Sequence, residues 1–323
     1  MRGPTGVVTL FVLAVATACS GDVIGGFPSP PTPLITAGPS ATPEPERGIL
    51  AEIAVEGSPC FLAEAAGRIW VTTFDGSELA EIDPGTNEVV GTHPMPDGPC
   101  GMTAVGDTLW IQTQNGTIVR FDARRGEQVD RLRIEGGLAG VVSTPSGLWA
   151  LAPREDTVVH VDPGSGDVLG RVPIDPPLVG LAAEGDEIWT VSGREALVRI
   201  DPRSHRVADR IVLERFEPEG IAIDGRRLWV SSSFEAAIVR VDTRTGEELD
   251  RIETDGPLFG GVVLGDSFWA SGNDGTLFRF DARSGQVEEE RELLGFGPIP
   301  ADGNLWTVDF LSDAVYRLDE PAG

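Results

Sequence analysis

Between Gly220 and Asp242 the chain reads GIAIDGRRLWVSSSFEAAIVRVD, and its apolar positions fall into three short runs. Ile221-Ala222-Ile223 leads into the polar turn Asp224-Gly225-Arg226-Arg227; Leu228–Ser232 leaves it, and Ala237–Val241 follows a loop at Phe234-Glu235. Short runs of strand-favouring residues, bounded by Asp-Gly and Ser-rich stretches, predict a meander of antiparallel strands. The pattern recurs with one tryptophan per unit, at Trp70, Trp110, Trp149, Trp189, Trp229, Trp269 and Trp306. A fixed period of about forty residues built from short strands predicts an all-β, seven-bladed β-propeller of four-stranded antiparallel blades.

The remaining strand of each unit follows from the turns. Six units end their third strand in Asp (Asp83, Asp122, Asp162, Asp201, Asp242, Asp281) and continue through DPGTN, DARRG, DPGSG, DPRSH, DTRTG or DARSG into a fourth strand. The last unit reaches Asp319, and the chain stops at Gly323, where its fourth strand should begin. The apolar run Ile49–Val55 precedes the first unit without an upstream partner. The expectation is a ring closed by this N-terminal strand completing the last blade, which leaves no unpaired edges at the join. The fifth turn position holds Gly126, Gly166, Gly246 and Gly285, but Asn87 and His205 in two units, so a positive φ is expected there.

Ahead of the repeats, Arg2 precedes an apolar run from Val7 to Ala18. That run is too short to span a bilayer as a mature helix and reads as a secretory signal over residues 1–18. Ala16-Thr17-Ala18-Cys19 resembles a bacterial lipobox, which implies lipid attachment at Cys19 and stable membrane anchoring. Residues 19–47 are rich in Pro, Ser and Thr, as in PSPPTPLITAGPSATPEPER, and read as an extended tether. The propeller then occupies residues 48–323, and the protein is expected in the cell membrane, lipid-anchored and facing outside the cytoplasm.

Charge narrows the partners. The formal net charge is −26 and the chain contains no Lys. Phosphate backbones would be repelled, which argues against nucleic acid. The absence of Lys removes Schiff-base and lysine-base chemistry. A monomer with an unknown protein or small-molecule partner is expected, besides the membrane.

The chemistry-bearing residues are few. Of the three histidines, His205 falls in a turn, His160 at a strand position that other units fill with Arg120, Arg199, Arg240, Arg279 and Arg317, and His93 on an outer strand expected to be solvated. No two share a metal-ligand spacing, and no nucleophile elbow, P-loop or dinucleotide fingerprint is present. The seven Trp are expected to pack between neighbouring sheets rather than stack on a cofactor. Cys60 and Cys100 hold one register relative to Trp70 and Trp110, near the ring axis in adjacent blades. In an oxidising compartment they are expected to form a disulfide. Recognition would be written where the units differ: in the loops leading into the first strands and those joining strands two and three. The candidate ligand-binding residues there are Phe74, Asp75, Arg154, Glu155, Arg194, Glu217, Glu219, Phe234, Glu235, Phe259, Asn273, Asp274 and Phe310.

Units such as PEGIAIDGRRLWVSSSFEAAIVRVDTRTGEEL resemble the YVTN/NHL-type repeat propellers, and more distantly the virginiamycin B lyase group. The resemblance covers residues 48–323 through the recurring Gly, Trp-Val and Arg-x-Asp positions, and it implies the fold. The lyase group depends on His and acidic residues with magnesium on one face, and none of His93, His160 and His205 falls in the loops facing a ligand. The reading is therefore a non-catalytic binding or scaffold propeller with no cofactor. The alternatives are a lyase or lactonase-like hydrolase using Glu217 and Glu219 around Ca²⁺ or Mg²⁺, and, ranked last, a quinone-dependent dehydrogenase.

Overall fold

Seven four-stranded antiparallel sheets form a ring in this computed structural model, which describes residues 48–319 apart from 97, 135–139, 233, 273–275, 292 and 294. The fifth blade shows the plan: Gly220–Asp224, Arg227–Ser231, Ala237–Asp242 and Glu248–Glu253 pair in sequence order from the axis outward. The seventh blade departs from it. Its strands Phe296–Ala301, Asn304–Asp309 and Ala314–Leu318 are completed by Ile49–Ala54 from the start of the described chain. Ile53 pairs with Val315 and Ala54 with Ala314, and Val55 N–H donates to Asp313 O at 2.8 Å. The ring is closed by that strand, as expected from the sequence.

All seven tryptophans are buried to within 2 % of full burial, and they fill the space between neighbouring sheets. Trp70 meets Phe121 of the next blade edge-on at 5.2 Å, and Trp229 stacks on Phe268 of the next blade at 4.4 Å. Each Trp has a fixed partner across its own sheet: Trp110 opposes Arg120, Trp229 opposes Arg240 and Trp306 opposes Arg317. The Arg lies over the indole, with its guanidinium carbon 5.7, 5.0 and 5.4 Å from the ring centre in these three blades. The Arg-x-Asp repeat thus combines a cation–π contact with a turn clamp. In the turns the Asp carboxylate accepts backbone N–H groups two and three residues on, as Asp242 does from Arg244 and Thr245, both at 2.9 Å.

Near the axis the sheets converge, and Gly220 shows how closely. A Cβ there would sit 2.4 Å from Gly260 Cα of the next blade, so only glycine fits. At the fifth turn position Asn87 and His205 have φ of 56° and 52°, the left-handed conformation expected from their shared position with glycine.

One expectation changes. His93, placed by sequence on a solvated outer face, is half-buried: its ring lies 5.4 Å from Trp70 and 5.1 Å from Phe121, with Nε2 3.5 Å from Glu81. The first blade carries Glu81 opposite Trp70 where five other blades carry Arg, and His93 lies against the indole there.

Candidate functional site: the loop face

The loops joining second to third strands lie on the same face as those that lead into the first strands, and backbone hydrogen bonds lace the two sets together. Phe74 N–H donates to Ser58 O at 2.9 Å, Gln114 N–H to Gly98 O at 3.0 Å and Gly193 N–H to Asp175 O at 2.9 Å. This ties the variable loops to the ring and limits their freedom before any partner arrives.

Two of the loops present apolar side chains to solvent. Phe234 is 72 % exposed and Leu311 74 % exposed; the other exposed large hydrophobics lie on strands and are covered more. Each projects from a turn held by a buried polar residue. Ser232, fully buried, accepts N–H bonds from Phe234 at 3.1 Å and Glu235 at 3.2 Å and donates to the Glu235 carboxylate. Asp309, 2 % exposed, accepts N–H bonds from Leu311 at 2.9 Å and Ser312 at 3.2 Å, and the Ser312 hydroxyl. These turns are local side-chain-to-backbone clamps. The Ser232 hydroxyl is spent on its turn, which separates it from nucleophilic chemistry.

Between the fourth and fifth blades the structure brings together Arg194, Glu217 and Glu235. Arg194 Nη1 lies 3.1 and 3.3 Å from the two Glu217 carboxylate oxygens, and Glu217 N–H donates to Glu235 Oε2 at 3.4 Å. The Glu217 carboxylate, which the metal-centred alternative would use as an oxygen ligand, is paired with the exposed Arg194 guanidinium. Among the described residues, no three His, Cys, Asp or Glu side chains converge in a metal-ligating arrangement.

The other expected residues are dispersed around the rim. Phe74 is half-buried and packs against the core, its ring reaching Gly98 in the next blade's leading loop. Asp75 is exposed and accepts the Ser58 hydroxyl at 2.6 Å. Arg154 is exposed in the one-turn helix Pro153–Glu155, and Glu155 is paired with Arg171 at 2.6 Å. Glu219 is half-buried beside the axis, its N–H donating to Ser231 O at 2.9 Å. Phe310 is half-buried beside Leu311, and Phe259 lies in the inner strand Leu258–Leu264. Asn273 and Asp274, with Cys19, fall outside the described residues. Cys60 and Cys100 carry a disulfide joining the first two blades near the axis, with their Cα atoms 5.2 Å apart.

Sequence reasoning passed over Ser58, Ser232, Asp309 and Asp313. Ser232 and Asp309 share one register, three residues after the Trp, at the end of the second strand, with Thr73 and Thr113; all four can begin a side-chain-capped turn. Asp313 accepts the Ser58 N–H at 2.7 Å, a contact across the closure of the ring that no local pattern announces.

No family model and no curated protein matches this chain. Among solved structures, it superposes on a chain of the mitotic checkpoint complex with a TM-score of 0.73 at 11 % identity, covering 93 % of this chain and 100 % of that one. It also superposes on the computationally designed Ika8 protein with a TM-score of 0.62 at 12 % identity, covering 84 % of this chain and 100 % of that one. At such identities the likeness concerns the fold alone.

Proposed function

We propose that this chain is an exported, lipid-anchored β-propeller of the YVTN/NHL repeat type that binds a protein or small-molecule partner on its loop face without catalysis. The observation that carries the reading is the pair Phe234 and Leu311. The repeat is explained by the ring, but these two side chains are exposed, unrepeated and held out by turns whose clamps are buried. Burying one such side chain against a partner contributes about 1.5–3 kcal/mol. Two of them contribute at least about a hundredfold in affinity.

The envelope location rests on Ala16-Thr17-Ala18-Cys19 and the Pro-rich segment after it, which together supply an anchor and a spacer. Both halves of the proposal are open to one experiment. A photo-crosslinking residue is placed at position 234 in the full chain, and in a second protein at position 186 on the opposite face, each with and without Cys19→Ala. The proposal expects one discrete adduct from position 234 only, and an acyl label that Cys19→Ala removes. Equal adducts from both positions would overturn the loop-face reading, and a label that survives Cys19→Ala would overturn the anchor.

A further inference from the structure

Five blades place an Arg opposite their Trp, and in three of them this Arg does more than cover the indole. It crosses to the turn between the third and fourth strands of the following blade. Arg120 Nη1 donates to Gly164 O at 2.8 Å, Arg240 Nη1 to the carbonyls of Ala282 and Arg283 at 3.1 and 2.9 Å, and Arg317 Nη1 to Pro84 O and Asn87 Oδ1 at 2.7 and 3.0 Å. Those seams are fastened by a cation that never loses its charge.

The seam between the third and fourth blades is fastened differently. His160 takes the Arg position opposite Trp149 and is 4 % exposed, its ring stacked on the indole at 4.1 Å and 8°. His160 Nδ1 lies 2.8 Å from Nε2 of His205, the residue in the fifth turn position of the fourth blade. His160 Nε2 lies 2.9 Å from Ser146 O, which can only accept. The proton of neutral His160 therefore sits on Nε2, and Nδ1 accepts from His205 Nε2–H. Outer-strand Gly170 leaves room for the His205 ring, since a Cβ there would lie 2.5 Å from it.

We propose that the His160–His205 contact is an acid-sensitive latch, closed at neutral pH and released when both imidazoles are protonated. The pair can hold one added proton, with His160 Nδ1–H donating to a His205 whose own proton has moved to Nδ1. A second proton sets two N–H groups against each other at hydrogen-bond distance, and the latch opens. The charged group that acts on His160 is Asp162 from the third blade's turn; the turn that carries His205 also contains Asp201, Arg203 and Arg206. Asp201 is engaged by Arg203 N–H at 3.0 Å and the Ser204 hydroxyl at 2.7 Å. Burial holds the His160 imidazole below its ordinary range, outweighing the Ser146 carbonyl and Asp162, which favour the charged form; His205 adds to the depression. The sign follows. A base whose folded-state affinity for protons is reduced gives stability that is present above the unfolded value, about 6.5, and is lost as pH falls below it. For one excluded proton, the opening constant of the seam rises about tenfold per pH unit.

Hydrogen exchange of the intact protein at pH 7.5 and 5.0, corrected for intrinsic rates, tests this with an internal control. Segments 157–171 and 199–207 report the histidine seam, and segments 237–251 and 277–286 the Arg240 seam. The latch expects protection to fall about tenfold or more at pH 5.0 in the first pair relative to the second. His160→Arg with His205→Gly, which reproduces the residues of the Arg240 seam, should abolish the difference. His160→Arg with His205→Asn, which reproduces the Arg317–Asn87 seam, gives a second test should the first variant fold poorly. Equal responses of the two seams, or a difference that persists in the substituted proteins, would overturn the proposal. So would loosening of the seam by EDTA at pH 7.5, which would show a metal ion holding the two imidazoles.

Discussion

Replacing Ile53 by Ala probes the closure of the ring at a single side chain. Ile53 is 5 % exposed and packs in one cluster with Val55, Leu62, Ile69, Trp306, Val308 and Val315, side chains of the first and seventh blades. Removing three carbons from a site walled by two sheets leaves a cavity that the strands cannot collapse to fill. Such truncations cost about 2–5 kcal/mol. For a domain of this size each kcal/mol corresponds to about 2–4 °C, so Tm should fall by about 5–15 °C. Leu50, on the same strand but 53 % exposed, is the matched control. Its replacement by Ala should stay within about 0.5 kcal/mol. Differential scanning calorimetry of both variants at one scan rate makes the comparison. If Ile53→Ala unfolds no earlier than Leu50→Ala, the N-terminal strand does not carry the closure and the reasoning fails.

Three further expectations follow from the packing. Arg240→Ala should cost about 3–5 kcal/mol, because its guanidinium is 7 % exposed, covers Trp229, pairs with Asp250 and holds two carbonyls of the next blade; urea unfolding with a loss under about 1 kcal/mol would contradict it. Intact mass should rise by about two mass units on reduction of Cys60–Cys100, and Cys60→Ser with Cys100→Ser should lower stability by about 2–4 kcal/mol; two free thiols in the untreated protein would refute the crosslink. The turn carboxylates of Asp162, Asp201, Asp242 and Asp281 are held below the usual range by hydrogen bonds from residues two and three further on. Depressed acids give stability that is present above their unfolded value and lost as pH falls through the folded one. Stability should therefore decline below about pH 4, and Asp242→Asn with Asp281→Asn should flatten that decline in a pH series of denaturant titrations.

The ring was legible because its causes are periodic. Trp spacing, the Asp-led turns and the unmatched strand at Ile49 each repeat or break a rule in plain sight, and the structure reproduces them residue by residue. What escaped was side-chain reach between repeats. His93 looked solvated because its outer-strand position is solvated in an average blade; Glu81 in place of Arg opened the space it fills, and that substitution acts across a strand. His205 was rightly placed in a turn of positive φ, yet its ring meets His160 of the preceding blade, a contact set by blade-to-blade geometry. On the loop face, Arg194, Glu217 and Glu235 come together between two blades, a meeting that their separate positions in the sequence did not announce. Phe74 lies apart from them, half-buried against the core, and aromatic character alone does not separate a packing ring from a presented one.

The central claim is that recognition is carried by the unrepeated side chains held on one face. Its most direct test is the affinity of the partner captured through position 234 for the intact propeller and for two variants, by biolayer interferometry. Phe234→Ala with Leu311→Ala should weaken binding at least about a hundredfold with an unchanged Tm. Val129→Ala with Val287→Ala, which truncates exposed apolar residues on the outer strands, should leave affinity unchanged. Equal affinity in both variants, or a loss only in the second, would contradict the account.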